Sequence, residues 1–144
     1  MKGFVSHTEV ASRMREYDAV LLPISFLPEH RSIAEFNILT KMTECLASGT
    51  ITLLLGPAYS AMAQLLKKFG AAVILTDPSR ERVEQALLAI SQPKKRSELL
   101  LAAHRMVSEE YSLRNLQQRW QAARCNIEEV HLTCLEPCAI AASR

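Results

Sequence analysis

The stretch 50–76, "TITLLLGPAYSAMAQLLKKFGAAVILT", decides the fold. Its first part, "TITLLLG", is a continuous apolar run that ends at Gly56-Pro57. That length and those flanks suit a strand buried on both faces. "YSAMAQLLKKFG" follows as a helix stopped by Gly70, with Lys67 and Lys68 in its last turns, where the helix dipole favours cations. "AAVILT" is again a strand. Strand, helix and strand in this order predict a right-handed crossover between parallel strands.

The same alternation continues on both sides. Upstream, "DAVLLPI" (18–24), bounded by Asp18 and Pro23, reads as a strand buried on both faces. Before it, "TEVASRMREY" (8–17) predicts a short helix with Thr8 as its cap and Val10, Met14 and Tyr17 on one face. After it come a loop, "SFLPEHRSIAEF", and a helix over "NILTKMTECLASG" (37–49), with Asn37 or Thr40 as cap. Downstream, "PSRERVEQALLAIS" (78–91) is a helix whose stripe is Val83, Ala86, Leu87 and Ile90, and Pro93 breaks it. The next helix, "KKRSELLLAAHRMVSEEY", places Leu99, Leu100, Ala103, Met106 and Val107 on one face. From Leu113, apolar residues at 116, 120, 123, 127 and 130 step by three and four, which makes a long amphipathic helix. The stripe ending at Trp120 is expected to be core rather than a cofactor box. The predicted fold is therefore α/β: a Rossmann-like partial parallel sheet of about three to four strands flanked by helices. Residues 1–132 form that domain, and 133–144 form a C-terminal tail with no readable period.

Bulk composition narrows the function. A chain of 144 residues is one domain by length and can bury a real core. Charged residues at 22% and apolar residues at 49% are a globular balance. A net charge of +2 gives no argument for nucleic acid or an anionic membrane. No apolar run reaches the roughly 18 residues of a membrane span, and "MKGFVSHTEV" has no signal-peptide core. Of the four cysteines, Cys125, Cys134 and Cys138 cluster near His131, but with spacings of nine and four. Zinc sites use tighter pairs, so no metal is expected. Free thiols in a reducing cytoplasm are the expectation.

In parallel sheets of this kind, ligands bind beyond the carboxyl ends of the strands. The loop after "DAVLLPI" and the helix that follows leave such an end. Lys41 and Glu44, three residues apart, thus stand beside the expected crevice. Spacing alone gives a solvated helical pair worth about a few tenths of a kcal/mol. Position adds a helix amino end, whose free N–H groups suit phosphate. His30 lies in the crevice loop, where a surface histidine is the plainer reading.

These segments together resemble a known family, the C-terminal half of GT-B type glycosyltransferases in the large retaining group that uses nucleotide-diphosphate sugars. The resemblance runs from about Gly3 to Trp120. "GFVSHTEVASRMREYDAVLLPIS" is similar to that family's strand end, short helix and "aD-v-l-l-P-s" strand. "ILTKMTECLASGT" resembles its "P-T-K-x-x-E-Y-L-A-x-G-x-P" segment. "GPAYSAMAQLLKKFGAAVIL" resembles its "P-x-x-S-A" helix and last core strand. "ALLAI" and "AAHRMVSEEYSLRNLQQRW" resemble its closing helices.

The resemblance implies donor-nucleotide binding at Glu44, Lys41, Thr40, Asn37, Ile38, Pro23 and Ser25. Glu44 would accept hydrogen bonds from the ribose hydroxyls, a vicinal diol that two carboxylate oxygens match. Thr40 and Lys41 would face the diphosphate, Asn37 and Ile38 would offer backbone contacts, and Pro23 and Ser25 would form the crevice mouth. The substrate would be a nucleotide-diphosphate sugar, with no further cofactor, and the sugar would pass to an acceptor hydroxyl.

There are departures. The family's second acid, separated from Glu44 by seven residues, is Phe36 here, with Glu35 one place too early. The acceptor domain and the basic pair for the diphosphate would lie upstream of Met1, so the resemblance implies a truncated half. Residues 3–5 would end its third strand, and the three clear strands would be its fourth, fifth and sixth, in the order 3-2-1-4-5-6. "DAVLLPI" would then have an open edge, which predicts self-association or a partner carrying the missing half.

Overall fold

The computed structural model describes residues 5–133, and side-chain surroundings up to Arg124 except at His7. The chain divides into two compact units, one up to Ser108 and one from Glu109.

The first unit is built on three parallel strands: β1 (Ala19–Pro23), β2 (Ile51–Leu55) and β3 (Val73–Leu75), in the order β1-β2-β3. β1 pairs with β2 from Ala19↔Ile51 to Pro23↔Leu55, and β2 with β3 from Leu53↔Val73 to Leu55↔Leu75. This is the α/β fold with the parallel sheet expected from the alternation. Around it lie α1 (Val10–Met14), α2 (Arg31–Phe36), α3 (Lys41–Ala47), α4 (Ala61–Phe69), α5 (Arg80–Ser91) and α6 (Pro93–Glu110).

β2 is central and organises the core. Successive side chains point to opposite faces. Ile51 and Leu53 meet Ile90 of α5 and Leu99 of α6, with Ala19, Val73 and Leu100 packed around them. On the opposite face lie Thr52 and Leu54. α3 packs against β2 and buries Met42, Cys45 and Leu46, and α4 packs against β3 and buries Met62, Ala63 and Leu66. The Thr52 hydroxyl is buried without a hydrogen-bond partner among the described residues.

Local chemistry fixes the crossover that the sequence announced. Ser60 caps α4, its Oγ accepting from the Ala63 N–H at 3.2 Å. Gly70 ends α4 at φ +64°, the left-handed conformation that a residue without Cβ adopts freely, and the Ala71 N–H donates to Leu66 O at 3.1 Å. At the carboxyl ends, the Ile24 N–H donates to Leu55 O (2.7 Å) and the Gly56 N–H to Leu75 O (3.0 Å). A Cβ on Gly56 would lie 2.7 Å from Ile24 Cβ, so glycine is what lets the chain ends approach there.

Several expectations are corrected. Burial on both faces holds for β2 but not for β1, where Leu21 is 55% exposed and Pro23 is exposed. Among the described residues β1 has a single strand neighbour. Because the Ile24 amide faces β2, alternation turns the backbone groups of Ala19, Leu21 and Pro23 to the open edge. Proline is tolerated there, since it forfeits no ladder bond. The stretch taken as loop after β1 contains a 3-10 turn (Pro28–His30) and α2. Arg31 and Glu35 pair at 2.7 Å on α2, and the Arg31 guanidinium stacks 4.9 Å from the Tyr59 ring centroid.

The first helix is a 3-10 turn (His7–Glu9) running into α1. Ser6, not Thr8, closes its start, giving its N–H (3.4 Å) and Oγ–H (2.7 Å) to the Glu9 carboxylate. Tyr17 is exposed, off the face it was assigned to. On α5, Ala86 and Ile90 are buried but Leu87 is exposed, so the stripe is narrower than read. Pro93 ends α5 as expected and also starts α6, where its missing N–H costs nothing.

The second unit contains the end of α6 and α7 (Leu113–Thr133). The Ser112 hydroxyl accepts from the Asn115 N–H at 3.3 Å, and Arg119 pairs with Glu110 at 2.8 Å. The long helix stands as predicted, but Trp120 is 71% exposed and Leu113 and Leu116 are exposed too. Within this unit, the stripe from Leu113 to Trp120 is therefore not buried. Cys134, Cys138 and the tail fall outside the described residues, as do the side-chain surroundings of Cys125 and His131.

Candidate functional site

A cavity of about 200 Å³ opens beyond the carboxyl end of β1. Pro23, Ile24 and Ser25 carry the strand into it. His30 closes the 3-10 turn, α2 contributes Ile33 and Ala34, and the connection to α3 contributes Asn37 and Leu39. The placement follows from the fold: a parallel strand delivers its loop to the carboxyl edge, and α2 folds back over that edge through buried Ala34.

The wall is mostly aliphatic, with a polar pair in it. Ser25 Oγ lies 2.9 Å from His30 Nδ1 and also accepts the Leu27 N–H at 3.2 Å. Asn37 ends α2, its N–H donating to Ile33 O at 2.9 Å. It therefore closes the helix before the cavity and does not cap α3.

Three of the seven residues expected at the site, Pro23, Ser25 and Asn37, are brought together here. Ile38, Thr40, Lys41 and Glu44 are not in the cavity wall; they continue from it. Ile38 is exposed beside Leu39. Thr40 stands at the N-cap position of α3 with helical backbone angles and makes no side-chain cap bond, while its carbonyl accepts from Thr43 Oγ1 at 2.9 Å. Lys41 Nζ and Glu44 Oε2 pair at 2.8 Å, with side chains 56% and 34% exposed. Such an exposed pair is worth about 0–1 kcal/mol, so a competing anion for Lys41 or a diol for Glu44 displaces it at small cost.

Behind this pair, Cys45 is buried. Burial pushes its thiol pKa up, the neighbouring Glu44 charge pushes it further, and Lys41 opposes both. A thiol held protonated is a poor nucleophile, which leaves Cys45 a packing role. Among the described residues no group of three or more His, Cys, Asp or Glu side chains is arranged to hold a metal ion, and no helix is long and apolar enough to cross a membrane.

The aliphatic residues Ile24, Ile33, Ala34 and Leu39 are the part of the site that the sequence did not point to. Their signal was the Ile33-Ala34 pair, which becomes meaningful only once α2 is seen as a helix. No protein-family model, no curated protein and no solved structure matches the chain.

Proposed function

We propose that this chain is the donor-binding half of a GT-B type glycosyltransferase of the large retaining group. It binds a nucleotide-diphosphate sugar and passes the sugar to an acceptor hydroxyl once another domain supplies the opposite wall. The observation that carries this reading is the cavity at the carboxyl end of β1, whose wall holds Pro23, Ser25 and Asn37 and ends at Leu39, two residues along the chain before Lys41. That is where a parallel sheet offers a nucleotide site.

In this reading Glu44 exchanges Lys41 for the two ribose hydroxyls, and Lys41 turns to the diphosphate. The sugar carbon becomes electrophilic in the transition state while charge grows on the leaving diphosphate, and Lys41 stabilises that charge. Without the second wall, turnover is weak or nil. Titration of UDP, GDP and ADP by calorimetry tests the reading: heat of binding is expected with one of them, and silence from all three counts against it.

A second reading is favoured by a separate observation. The edge of β1 and the neighbouring α2 expose Leu21, Ile33 and Phe36, the last 83% exposed. A non-catalytic module of the same fold would use this surface for a protein partner or a second copy. Nucleotide binding with no sugar transfer after co-expression with an acceptor domain selects a nucleotide-binding module; partner capture with no nucleotide binding selects an interaction module.

A further inference from the structure

The geometry points to the Ser25–His30 pair as a proton-controlled contact for the phosphate-bearing part of the ligand in this cavity; the inference rests on reading the cavity as the nucleotide site. A serine hydroxyl has one hydrogen and two lone pairs. One lone pair of Ser25 Oγ is taken by the Leu27 N–H at 3.2 Å. What remains depends on His30, whose Nδ1 stands 2.9 Å away. When the imidazole is neutral with Nδ1 bare, the Ser25 O–H is spent on Nδ1, and the serine turns only a lone pair to the cavity. When the imidazole is protonated, Nδ1–H donates to Ser25 Oγ and fills its second lone pair. The Ser25 O–H is then released as a donor beside a cationic ring whose Nε2 has no partner among the described residues.

Both residues line the cavity, so protonation converts a mixed donor-acceptor contact into two donors and a positive charge. That is the chemistry of an anionic oxygen acceptor, and hydrogen bonds to ionised groups are about twice as strong as neutral ones. The surroundings leave His30 in control. The end of β1 and the segment 37–39 bring no other titratable side chain to the cavity, and α2 presents Ile33 and Ala34 to it. Of the adjacent charges, Glu29 is exposed, and Arg31 is engaged by Glu35 and Tyr59. On α3, Lys41 and Glu44 face each other. The cavity wall thus holds an imidazole and no carboxylate.

The test is calorimetry of the full chain with UDP and, separately, inorganic pyrophosphate, at about pH 5.5 and about pH 8, either side of the ordinary histidine range. On going to the lower pH, both ligands are expected to gain about tenfold more affinity for the parent chain than for His30→Gln. His30→Gln is expected to lose that gain and to keep only the change that the ligand's own protonation causes. Because it leaves the ligand's own protonation unchanged, it isolates the imidazole. Ser25→Ala should remove most of the gain at low pH, and circular dichroism on both variants should match the parent.

Equal pH dependence in His30→Gln overturns the inference while leaving nucleotide binding intact. Pyrophosphate binding that depends on His30, with no tighter binding by UDP, GDP or ADP, supports the proton-controlled phosphate contact and removes the nucleotide reading. No binding by either ligand overturns both.

Discussion

β1 and β2 are five-residue strands of nearly the same apolar character, hydrogen-bonded side by side, yet they live in different solvents. β2 buries four of its five residues; β1 buries only Leu22. The difference comes from position, since β2 has a strand on each side and helices on both faces, whereas β1 has a single strand neighbour among the described residues. An apolar run therefore predicts a strand, while its burial is decided by what the rest of the chain lays against it. The pair also divides the labour. β2 holds the sheet together, and β1 carries its loop to the cavity and leaves an edge open.

The sharpest way to break this contrast is truncation on each strand. Leu54→Ala removes a fully buried side chain from β2 and should cost about 2–5 kcal/mol in chemical denaturation. Leu21→Ala on β1 should cost under about 1 kcal/mol, because its side chain is largely in water already. Equal losses would show that β1 is covered after all.

Gly56→Ala probes the seam between the two strands. Its new Cβ would meet Ile24 Cβ at 2.7 Å, so the end of β1 must shift. About 1–3 kcal/mol of destabilisation is expected, as for other overpacked sites. Because Ile24 and Ser25 line the cavity, nucleotide affinity measured alongside should fall as well.

Thr52→Val addresses the polar atom inside the better-buried strand. Replacing a buried hydroxyl that has no partner removes a desolvation cost, and a gain of about 1 kcal/mol is the expected result by thermal or chemical denaturation. A loss would mean that the hydroxyl has found a partner. The smallest stability change is expected for Leu21→Lys, within about 0.5 kcal/mol, since a surface charge on an edge strand touches little. Its effect belongs in assembly: parent chain that self-associates by light scattering at micromolar concentration should shift toward monomer. Monomeric parent chain removes the edge as an assembly surface.

The sheet was readable because buried strands, Gly and Pro stops and amphipathic helices leave local marks. Parallel direction followed from the crossover rule, and the order of the three strands from the family resemblance. What could not be read was whatever depends on neighbours distant in sequence. The exposure of Leu21 and of Trp120 is of that kind, since an apolar stripe looks the same with or without cover. α2 escaped for another reason: six residues give too few turns for a period, and "LPEHRSIAEF" opens with a proline. The site followed the same divide. Pro23, Ser25 and Asn37 came only with the family resemblance, whereas the aliphatic wall of the cavity arrives with α2. The Lys41–Glu44 pair was visible as a spacing, and the two charges meet at 2.8 Å.

In the proposed function, residues 37–49 form one wall of a nucleotide site. Calorimetric titration of the full chain and its Glu44→Ala variant with the nucleoside diphosphate that binds tests it most directly. Losing a charged acceptor for the ribose hydroxyls should weaken binding about tenfold, the effect of roughly 1.5 kcal/mol, with circular dichroism matching the parent. Unchanged affinity in Glu44→Ala, or no heat from the parent chain with any of the three nucleotides, would contradict it.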